Sequence, residues 1–147
     1  MEAAKTEFDS IVASFACEVQ WGDCDPAGII FYPTYFRWMD AASWSFLHRA
    51  GYGAKRMREE HIAMPLVDAR CDFLAPALHG DACEVRSRIL RLGGKSFVIG
   101  HEIRRLDGAV LAQGVETRVW ARFTNGPGTP LKGVAIPESL KAKFRAR

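Results

Sequence analysis

The sequence contains no long apolar run and few cysteines, and each of these deficits excludes a class of protein. No uncharged apolar stretch approaches the roughly 20 residues that cross a bilayer, so we expect no membrane-spanning helix. Residues 1–16 contain three acidic side chains and no apolar core segment, which argues against a signal peptide. The four cysteines, at positions 17, 24, 71 and 83, form no Cys-x-x-Cys pair, which predicts reduced thiols and a cytoplasmic location.

Several cofactor and catalytic motifs are also absent. There is no glycine-rich nucleotide loop and no Gly-x-Ser-x-Gly nucleophile elbow. The histidines at 48, 61, 79 and 101 lack zinc-type spacing, so no metal site is expected. A net charge of +3 does not by itself indicate a nucleic-acid partner. With 48% apolar and 25% charged residues in 147, the composition predicts one globular domain over 1–147.

The most distinctive stretch, residues 21–35, carries two aspartates one residue apart. Asp25 precedes Pro26, which disfavours a helical backbone there, and Gly28 permits a tight turn or a close backbone approach. Pro33 then suits the first turn of a helix. The stretch predicts a strand end, a loop and a helix start. A carboxylate beside the positive end of a helix supplies two components of an acyl-transfer site.

The same residues are good turn formers, so the motif alone leaves a purely structural turn open as the alternative. A calcium loop is disfavoured, because Ala27, Ile29 and Phe31 occupy positions where oxygen ligands are expected. Cys24 is a poor candidate nucleophile, because two flanking aspartates disfavour its thiolate. Asp23 is assigned to turn structure rather than to a direct catalytic role.

Further motifs give the stretch a family resemblance. GDCDPAGI (22–29) is followed by Tyr32-Pro33, Tyr35, Arg37-Trp38 and DAAS (40–43), and KSFV (95–98) occurs later. Together these motifs resemble the hotdog-fold thioesterases, most closely the 4-hydroxybenzoyl-coenzyme A thioesterase type, over about 15–137. The resemblance implies an α+β fold in which an antiparallel sheet of about five strands wraps around one long central helix.

The resemblance also implies a reaction and a site. The reaction is hydrolysis of an acyl-CoA thioester, with a 4-hydroxybenzoyl-CoA-like aryl substrate first and a short- or medium-chain aliphatic one second. The essential carboxylate falls on Asp25, as nucleophile or general base, and an oxyanion contact falls on the backbone N–H around Tyr32. The expected substrate-binding residues are Gly28, Asp40 and Lys95. No cofactor is implied, because coenzyme A is part of the substrate.

Other consequences of the resemblance leave alternatives open. It implies a homo-oligomer, a dimer of dimers, with sites shared between subunits. Asp40 could contact a ring hydroxyl of the acyl group or pair with Arg37 three residues earlier. Trp44 could line an aromatic pocket or fill an interface or the core. Glycines replace the basic residues that precede Lys95 in that family, so the grip on coenzyme A is weaker or comes from other basic residues. The candidates are Arg86, Arg88, Arg91, Arg104, Lys141, Lys143 and Arg145.

Two rival functions are kept beside hydrolysis. One is a non-catalytic acyl-CoA-binding or scaffold hotdog domain, against which the intact Asp25 motif argues. The other is a hydratase or dehydratase on the same fold, which would use a histidine with an acid. His48 is the only histidine in the long predicted helix. Fold-level likeness does not decide among these functions.

Hydrophobic periodicity predicts the elements along the chain. Phe97, Ile99, His101 and Ile103 share one strand face, and His101 is predicted to be an interior residue. Glycine pairs at 93–94 and Asp107-Gly108 predict hairpin turns. Residues 1–13 are weakly patterned, as a short helix or a frayed end. The predicted strands are 15–21, 66–74, 82–92, 95–106 and 109–123, the helical segments are 35–50, 54–61 and 137–147, and 125–133 is a loop.

Overall fold

The computed structural model describes residues 13–145, which form two antiparallel sheets and three α-helices. The first two strands are β1 (Ala13–Glu18) and β2 (Ile62–Ala63). The others are β3 (Leu66–Phe73), β4 (Ala82–Leu92), β5 (Ser96–Arg105), β6 (Val110–Val119), β7 (Ala121–Phe123) and β8 (Leu131–Gly133). The helices are α1 (Pro33–Arg49), α2 (Ala54–Glu59) and α3 (Glu138–Arg145).

The main sheet has five strands in the spatial order β1-β4-β5-β6-β3, and every neighbouring pair is antiparallel. A smaller sheet joins β2, β7 and β8. This arrangement confirms the predicted α+β class and the five-stranded antiparallel sheet. No helix within the described residues is long and apolar enough to cross a membrane.

Helix α1 lies against β1, β3, β4 and β5 and supplies one side of the core. Met39, Phe46 and Leu47, spaced by the helical period, are buried on one face of α1, and Tyr35 and Trp38 are buried beside them. Gly114 on β6 lets the helix approach closely, since a Cβ there would overlap the Met39 side chain. The helix is therefore packed directly on the sheet, and its N-terminus is held at one end of that sheet.

Three predicted elements differ from the structure. The first strand ends at Glu18, and Trp21 is 75% exposed in a 3-10 turn (Trp21–Asp23), because the Asp23 carboxylate accepts from the Gln20 N–H and turns the chain. The fifth strand is interrupted at the buried Trp120, whose N–H donates to the Lys95 carbonyl. The loop 125–133 ends in strand β8. The N-terminal segment predicted as a helix or frayed end lies almost wholly outside the described residues.

The buried face of β6 carries charge. Val115, Thr117 and Val119 share one face of β6 and are only half-buried. Glu116 and Arg118, on the opposite face, are fully enclosed between the sheet and α1. Buried charges require partners, so this face marks a polar cluster inside the core.

Strand β3 stands at one edge of the main sheet. Its exposed apolar side chains include Val67 and Phe73, and the adjoining Leu74 is exposed as well. An edge strand presents backbone N–H and C=O groups that can pair with another chain. This edge therefore combines free hydrogen-bonding groups with apolar surface.

Candidate active site

Asp25 opens a tight turn between the first strand and helix α1. Its backbone N–H donates to the Ile29 carbonyl at 2.9 Å, and the Gly28 N–H donates to the Asp25 carbonyl at 2.9 Å. Asp, Pro and Gly thus occupy the first, second and fourth positions of a β-turn, as their preferences favour. Gly28 has φ +80°, which suits glycine and explains its place in the motif without a contact to substrate.

The Asp25 side chain is only partly committed to this turn. Its Oδ1 accepts from the Ala27 N–H at 2.8 Å, which orients the carboxylate and leaves Oδ2 outside that bond. The residue is half-buried. The carboxylate is therefore oriented by the backbone and still accessible, as a catalytic group must be.

Asp23 has a different environment and is a structural residue. It is buried, accepts from the Gln20 N–H at 2.8 Å and forms an ion pair with Arg37. Its carbonyl accepts from the Phe31 N–H at 2.8 Å and from the Thr34 hydroxyl at 3.1 Å. These contacts agree with the predicted structural role, and they commit Arg37 to Asp23 rather than to Asp40.

Helix α1 starts beside the Asp25 turn. Tyr32 is its N-cap residue, with φ −53° and ψ −34°, and Pro33 is the first helical residue. The N–H groups of Thr34 and Tyr35 donate to the carbonyls of Phe31 and Tyr32. Within residues 13–145 no hydrogen-bond acceptor is found for the Tyr32 N–H. A free N–H at the positive end of a 17-residue helix can stabilise a developing oxyanion.

Asp25 and Tyr32 line one cavity of about 470 Å³. Its opposite wall comes from the end of β3, where the Phe73 ring lies 6.3 Å from the Tyr32 ring and 5.4 Å from the Tyr35 ring. Apart from Asp25 the lining is apolar or aromatic, and comprises Ile29, Ile30, Tyr32, Tyr35, Phe73, Leu74, Ala75 and Pro76. The cavity suits an apolar acyl group beside one carboxylate.

The other predicted binding residues do not line this cavity within one chain. Gly28 lies in the turn beside it. Asp40 is on the third turn of α1 and bonds Arg118 at 2.8 Å. Arg118 is paired with Leu66 in the sheet, at the opposite end of β3 from Phe73. Asp40 thus lies towards the Leu66 end of β3, away from the cavity of its own chain.

Lys95 is exposed where β5 begins, next to a second, basic cleft. A Cβ on Gly133 would lie 3.8 Å from the Lys95 Cδ, so the lysine stem runs along β8. The cleft has a volume of about 330 Å³ and is lined by Arg122, Phe123, Thr124, Lys132 and Val134. Arg122 and Lys132 are directly opposite each other in the β7–β8 pair. Like charges so placed repel, and an anion between them would relieve that repulsion.

Three cysteines and one histidine of the described residues, Cys17, Cys71, Cys83 and His101, are buried or half-buried structural groups rather than a competing centre. Burial raises the pKa of Cys17 to about 12, and burial likewise raises the pKa values of Cys71 and Cys83 to about 11, so these thiols stay protonated. His101 is an interior residue as predicted, bonded to the hydroxyls of Ser43 and Ser87. The part of the chain that the structure describes contains no group of three His, Cys, Asp or Glu that could hold a metal ion.

Sequence reasoning missed the far wall of the cavity and the basic cleft. The segment from Phe73 to Pro76 carries no chemical motif and meets Asp25 only through sheet topology. Arg122 and Lys132 are ten residues apart and become neighbours through strand pairing. A detectable signal existed for Glu116 and Arg118, since two charges at alternate positions of an apolar strand fall on one face.

Comparisons with known proteins agree with this geometry. A 4-hydroxybenzoyl-CoA thioesterase of Pseudomonas sp. (strain CBS-3) is 30% identical over 126 residues, which is 81% of this chain and 87% of that protein. A 1,4-dihydroxy-2-naphthoyl-CoA hydrolase of Synechococcus sp. (strain WH7803) is 34% identical over 137 residues, with 88% and 86% covered. The structure of a gentisyl-coenzyme A thioesterase superposes with a TM-score of 0.79 and 37% identity, covering 90% of this chain and 99% of that one.

The family assignment rests on the match along the chain. The family model of the thioesterase-like superfamily matches residues 19–144, which include the Asp25 turn, α1 and all but the first strand of the sheet. Both the fold and the motif predicted from residues 22–43 agree with that assignment. The chain therefore belongs to the thioesterase-like superfamily and is a thioesterase of the hotdog class.

Proposed function

We propose that the protein hydrolyses the thioester of an aryl-acyl-CoA whose ring carries a hydroxyl group, to give the free acid and coenzyme A. The observation that carries this proposal is that Asp25 and Tyr32 line the same apolar cavity, and that the Tyr32 N–H has no acceptor among residues 13–145. These are the groups that hydrolysis of a thioester requires, because the leaving thiolate needs no strong acid.

The reaction follows from the two groups. With the thioester carbonyl beside the Tyr32 N–H, the N-terminus of α1 stabilises the oxyanion as it forms. Asp25 either attacks the carbonyl carbon directly or takes a proton from a water that attacks it. In both routes the carbon–sulfur bond breaks and the thiolate takes a proton to leave as coenzyme A. With Asp25 as base, the free acid keeps the oxygen of the attacking water; with Asp25 as nucleophile, a mixed anhydride of the acyl group and Asp25 forms, and a water hydrolyses it to the free acid and the Asp25 carboxylate. No cofactor or metal enters these steps.

The proposed acyl class rests on the lining and the relatives. Phe73, Tyr32 and Tyr35 place three aromatic rings at the cavity, which suits a flat ring. The three similar proteins are named for 4-hydroxybenzoyl, 1,4-dihydroxy-2-naphthoyl and gentisyl esters, and all of these are hydroxylated aromatic acids. The exposed carboxylate of Asp40 is the proposed acceptor for such a hydroxyl.

Asp40 reaches a cavity most simply if two copies share their sites. A two-fold axis perpendicular to the sheet would pair two β3 edges antiparallel. The Phe73 end of one copy would then lie at the Leu66 end of the other. That pairing would bring Asp40 of one copy towards the Asp25 cavity of its partner, and would cover the exposed Val67 and Phe73. The tetramer implied by the family resemblance remains a prediction.

The same two-fold pairing supports a site for the coenzyme. Lys95, Arg122 and Lys132 lie at the Leu66 end of the sheet, beyond Arg118. In a β3-paired dimer this basic cleft would face the partner's Asp25 cavity from across the interface. We assign the phosphates of coenzyme A to it, which would replace the basic residues missing at Gly93 and Gly94.

The rival functions have less support. His48 is exposed in the last turn of α1, at the opposite end of that helix from Tyr32 and Asp25, so a hydratase pair with Asp25 is not formed within the chain. A scaffold role would not require a free N–H and an oriented carboxylate at one cavity. The cytoplasmic location remains a prediction from the cysteine pattern.

The experiment is a measurement of kcat/KM for 4-hydroxybenzoyl-CoA, benzoyl-CoA and hexanoyl-CoA by thiol release. We expect Asp25→Asn to lower kcat/KM for every hydrolysed ester by at least about 100-fold. Glu59→Gln, an exposed carboxylate on α2, serves as the matched control. No hydrolysis of any ester would refute the proposal. An aliphatic preference that still needs Asp25 would keep the reaction and replace the acyl class.

A further inference from the structure

Six polar side chains form a continuous chain of contacts between the core and the surface of α1. Starting in the core, the Ser87 hydroxyl lies 2.7 Å from His101 Nδ1, and the Ser43 hydroxyl lies 3.2 Å from His101 Nε2. Ser43 donates to Glu116 Oε2 at 2.6 Å. Arg118 and Asp40 continue the chain outwards. We call this set the buried polar chain.

Arg118 is the link between the buried carboxylate and the exposed one. Its side chain is 4% exposed, and its guanidinium makes three different bonds. Nε donates to Glu116 at 3.0 Å, one terminal nitrogen donates to the Met64 carbonyl at 3.2 Å, and the other donates to Asp40 Oδ1 at 2.8 Å. A planar guanidinium held on three sides has a fixed orientation, so its bond to Asp40 has a fixed direction.

Glu116 accepts a hydrogen bond from the Arg118 guanidinium and stays ionised although it is buried. Burial alone would raise the pKa of Glu116, but hydrogen bonds from His101, Arg118 and Ser43 outweigh burial and lower the pKa to about 2. A buried carboxylate that stays charged costs solvation, and apolar side chains in its place would often be as stable. We therefore attribute the buried polar chain to the fixed position that it gives Arg118.

Asp40 is the one member of the buried polar chain that meets solvent, with 55% of its side chain exposed. Arg118 occupies Oδ1, and Oδ2 takes no part in that bond. A charged carboxylate with one oxygen anchored and the other accessible is a directed acceptor for an O–H donor.

We propose that Arg118, held by Glu116, is a positioning residue that orients Asp40 to accept a hydrogen bond from the ring hydroxyl of the acyl group, and so sets the preference for hydroxylated substrates. This inference rests on the proposed thioesterase function. Under it, Arg118 does not touch the substrate. Loss of the Arg118 fork leaves Asp40 charged but free to rotate, and a rotating acceptor discriminates less between a hydroxylated ring and a bare one.

The test compares 4-hydroxybenzoyl-CoA with benzoyl-CoA through the ratio of their kcat/KM values. We expect the ratio to fall about tenfold or more in Asp40→Asn and in Arg118→Lys, which keeps the charge and loses the fork. The loss should appear mainly as a higher KM for the hydroxylated ester. The double variant should fall no further than the single ones, because both act on one contact. Arg56→Lys on α2 is the matched control.

A second variant covers the case in which Arg118→Lys does not fold. Glu116→Gln combined with Arg118→Met removes both buried charges together, so it leaves no unpaired buried charge. It should lower the ratio as Asp40→Asn does, with an elution volume and melting temperature that report a folded protein.

Three results would overturn the inference, and they are distinguishable. A ratio that falls in Asp40→Asn but is unchanged in Arg118→Lys and in the double charge-removal variant would remove the role of Arg118. A wild-type ratio near one, with esters hydrolysed through Asp25, would refute hydroxyl recognition and leave the proposed function standing. Failure to hydrolyse either ester would refute both.

Discussion

Arg37 on the second turn of α1 forms an ion pair with Asp23, and this pair joins the helix to the loop that carries Asp25. Asp23 is buried whereas the Arg37 side chain is 63% exposed, so the arginine covers the carboxylate from the solvent side. Asp23 also accepts from the Gln20 N–H. The loop that carries Asp25 is thus attached to the start of the helix through a residue that does not line the cavity.

Removal of the Arg37 side chain should loosen that loop. We expect Arg37→Ala to lower kcat/KM about 3- to 30-fold, because Asp25 and the Tyr32 N–H would no longer keep their mutual position. The effect on kcat/KM is measured from steady-state thiol release. Arg58→Ala, an exposed arginine on α2, is the control. An Arg37→Ala enzyme with wild-type kcat/KM would show that the loop holds its geometry without the ion pair.

Gly28 should resist replacement for a backbone reason. At φ +80° an L side chain is strained, so we expect Gly28→Ala to cost about 1–2 kcal/mol of unfolding free energy and to lower activity as the turn shifts. Urea denaturation measures the free energy. Gly94→Ala is the control, because Gly94, like Gly28, has open space around its Cβ position but does not have a positive φ. Equal stabilities of the two variants would contradict the turn-based account of Gly28.

The basic cleft can be tested by shortening the substrate. We expect Arg122→Ala combined with Lys132→Ala to raise KM for the CoA ester about tenfold and to leave KM for the corresponding acyl-pantetheine unchanged, because pantetheine carries no phosphate. The wild type itself should have a lower KM for the CoA ester than for the acyl-pantetheine, because only the CoA ester has phosphates to bind. Equal effects on both thioesters would mean that the cleft does not hold the phosphates.

The edge of β3 can be tested by charge. If the proposed β3-paired dimer forms, we expect Val67→Lys to convert it into a monomer in light scattering, since a lysine on an edge strand opposes edge pairing. If the two subunits share their sites, hydrolysis should decrease as the dimer is lost. As a stricter check, mixing Asp25→Asn with the Arg122/Lys132 double variant should form hybrids that recover activity at one site of two. Active Val67→Lys monomers would refute the shared site.

Glu116 should make the fold sensitive to acid. Its pKa in the folded protein, about 2, lies below its ordinary value of 4.5, so the ionised form stabilises the fold. That contribution is complete above about pH 4.5 and is lost as the pH falls towards 2. It amounts to something on the order of 3 kcal/mol at neutral pH. Glu116→Gln should flatten the pH dependence of unfolding between pH 4.5 and 2; an unchanged slope would contradict this.

Local sequence signals predicted much of the fold. The alternation of apolar and polar residues predicted β4 with its observed bounds, because a strand with one buried face has a period of two. The 3.6-residue period predicted α1 to within two residues at each end, since Met39, Phe46 and Leu47 must face the core together. The apolar side chain of Trp21 extended the predicted first strand to residue 21, whereas the observed strand β1 ends at Glu18. The Asp23 carboxylate accepts from the Gln20 N–H and turns the chain before Trp21.

Some features of the candidate site were likewise determined by nearby residues, and others only by the tertiary structure. Short-range chemistry in residues 22–35 determined the Asp25 turn, the positive φ of Gly28 and the helix start at Pro33, since each depends on neighbours a few residues away. The Phe73 wall, the Arg122–Lys132 cleft and the Arg118–Asp40 contact were decided only by strand pairing and by the packing of α1. Those contacts join residues 10 to 78 positions apart, and no local propensity specifies which of them meet.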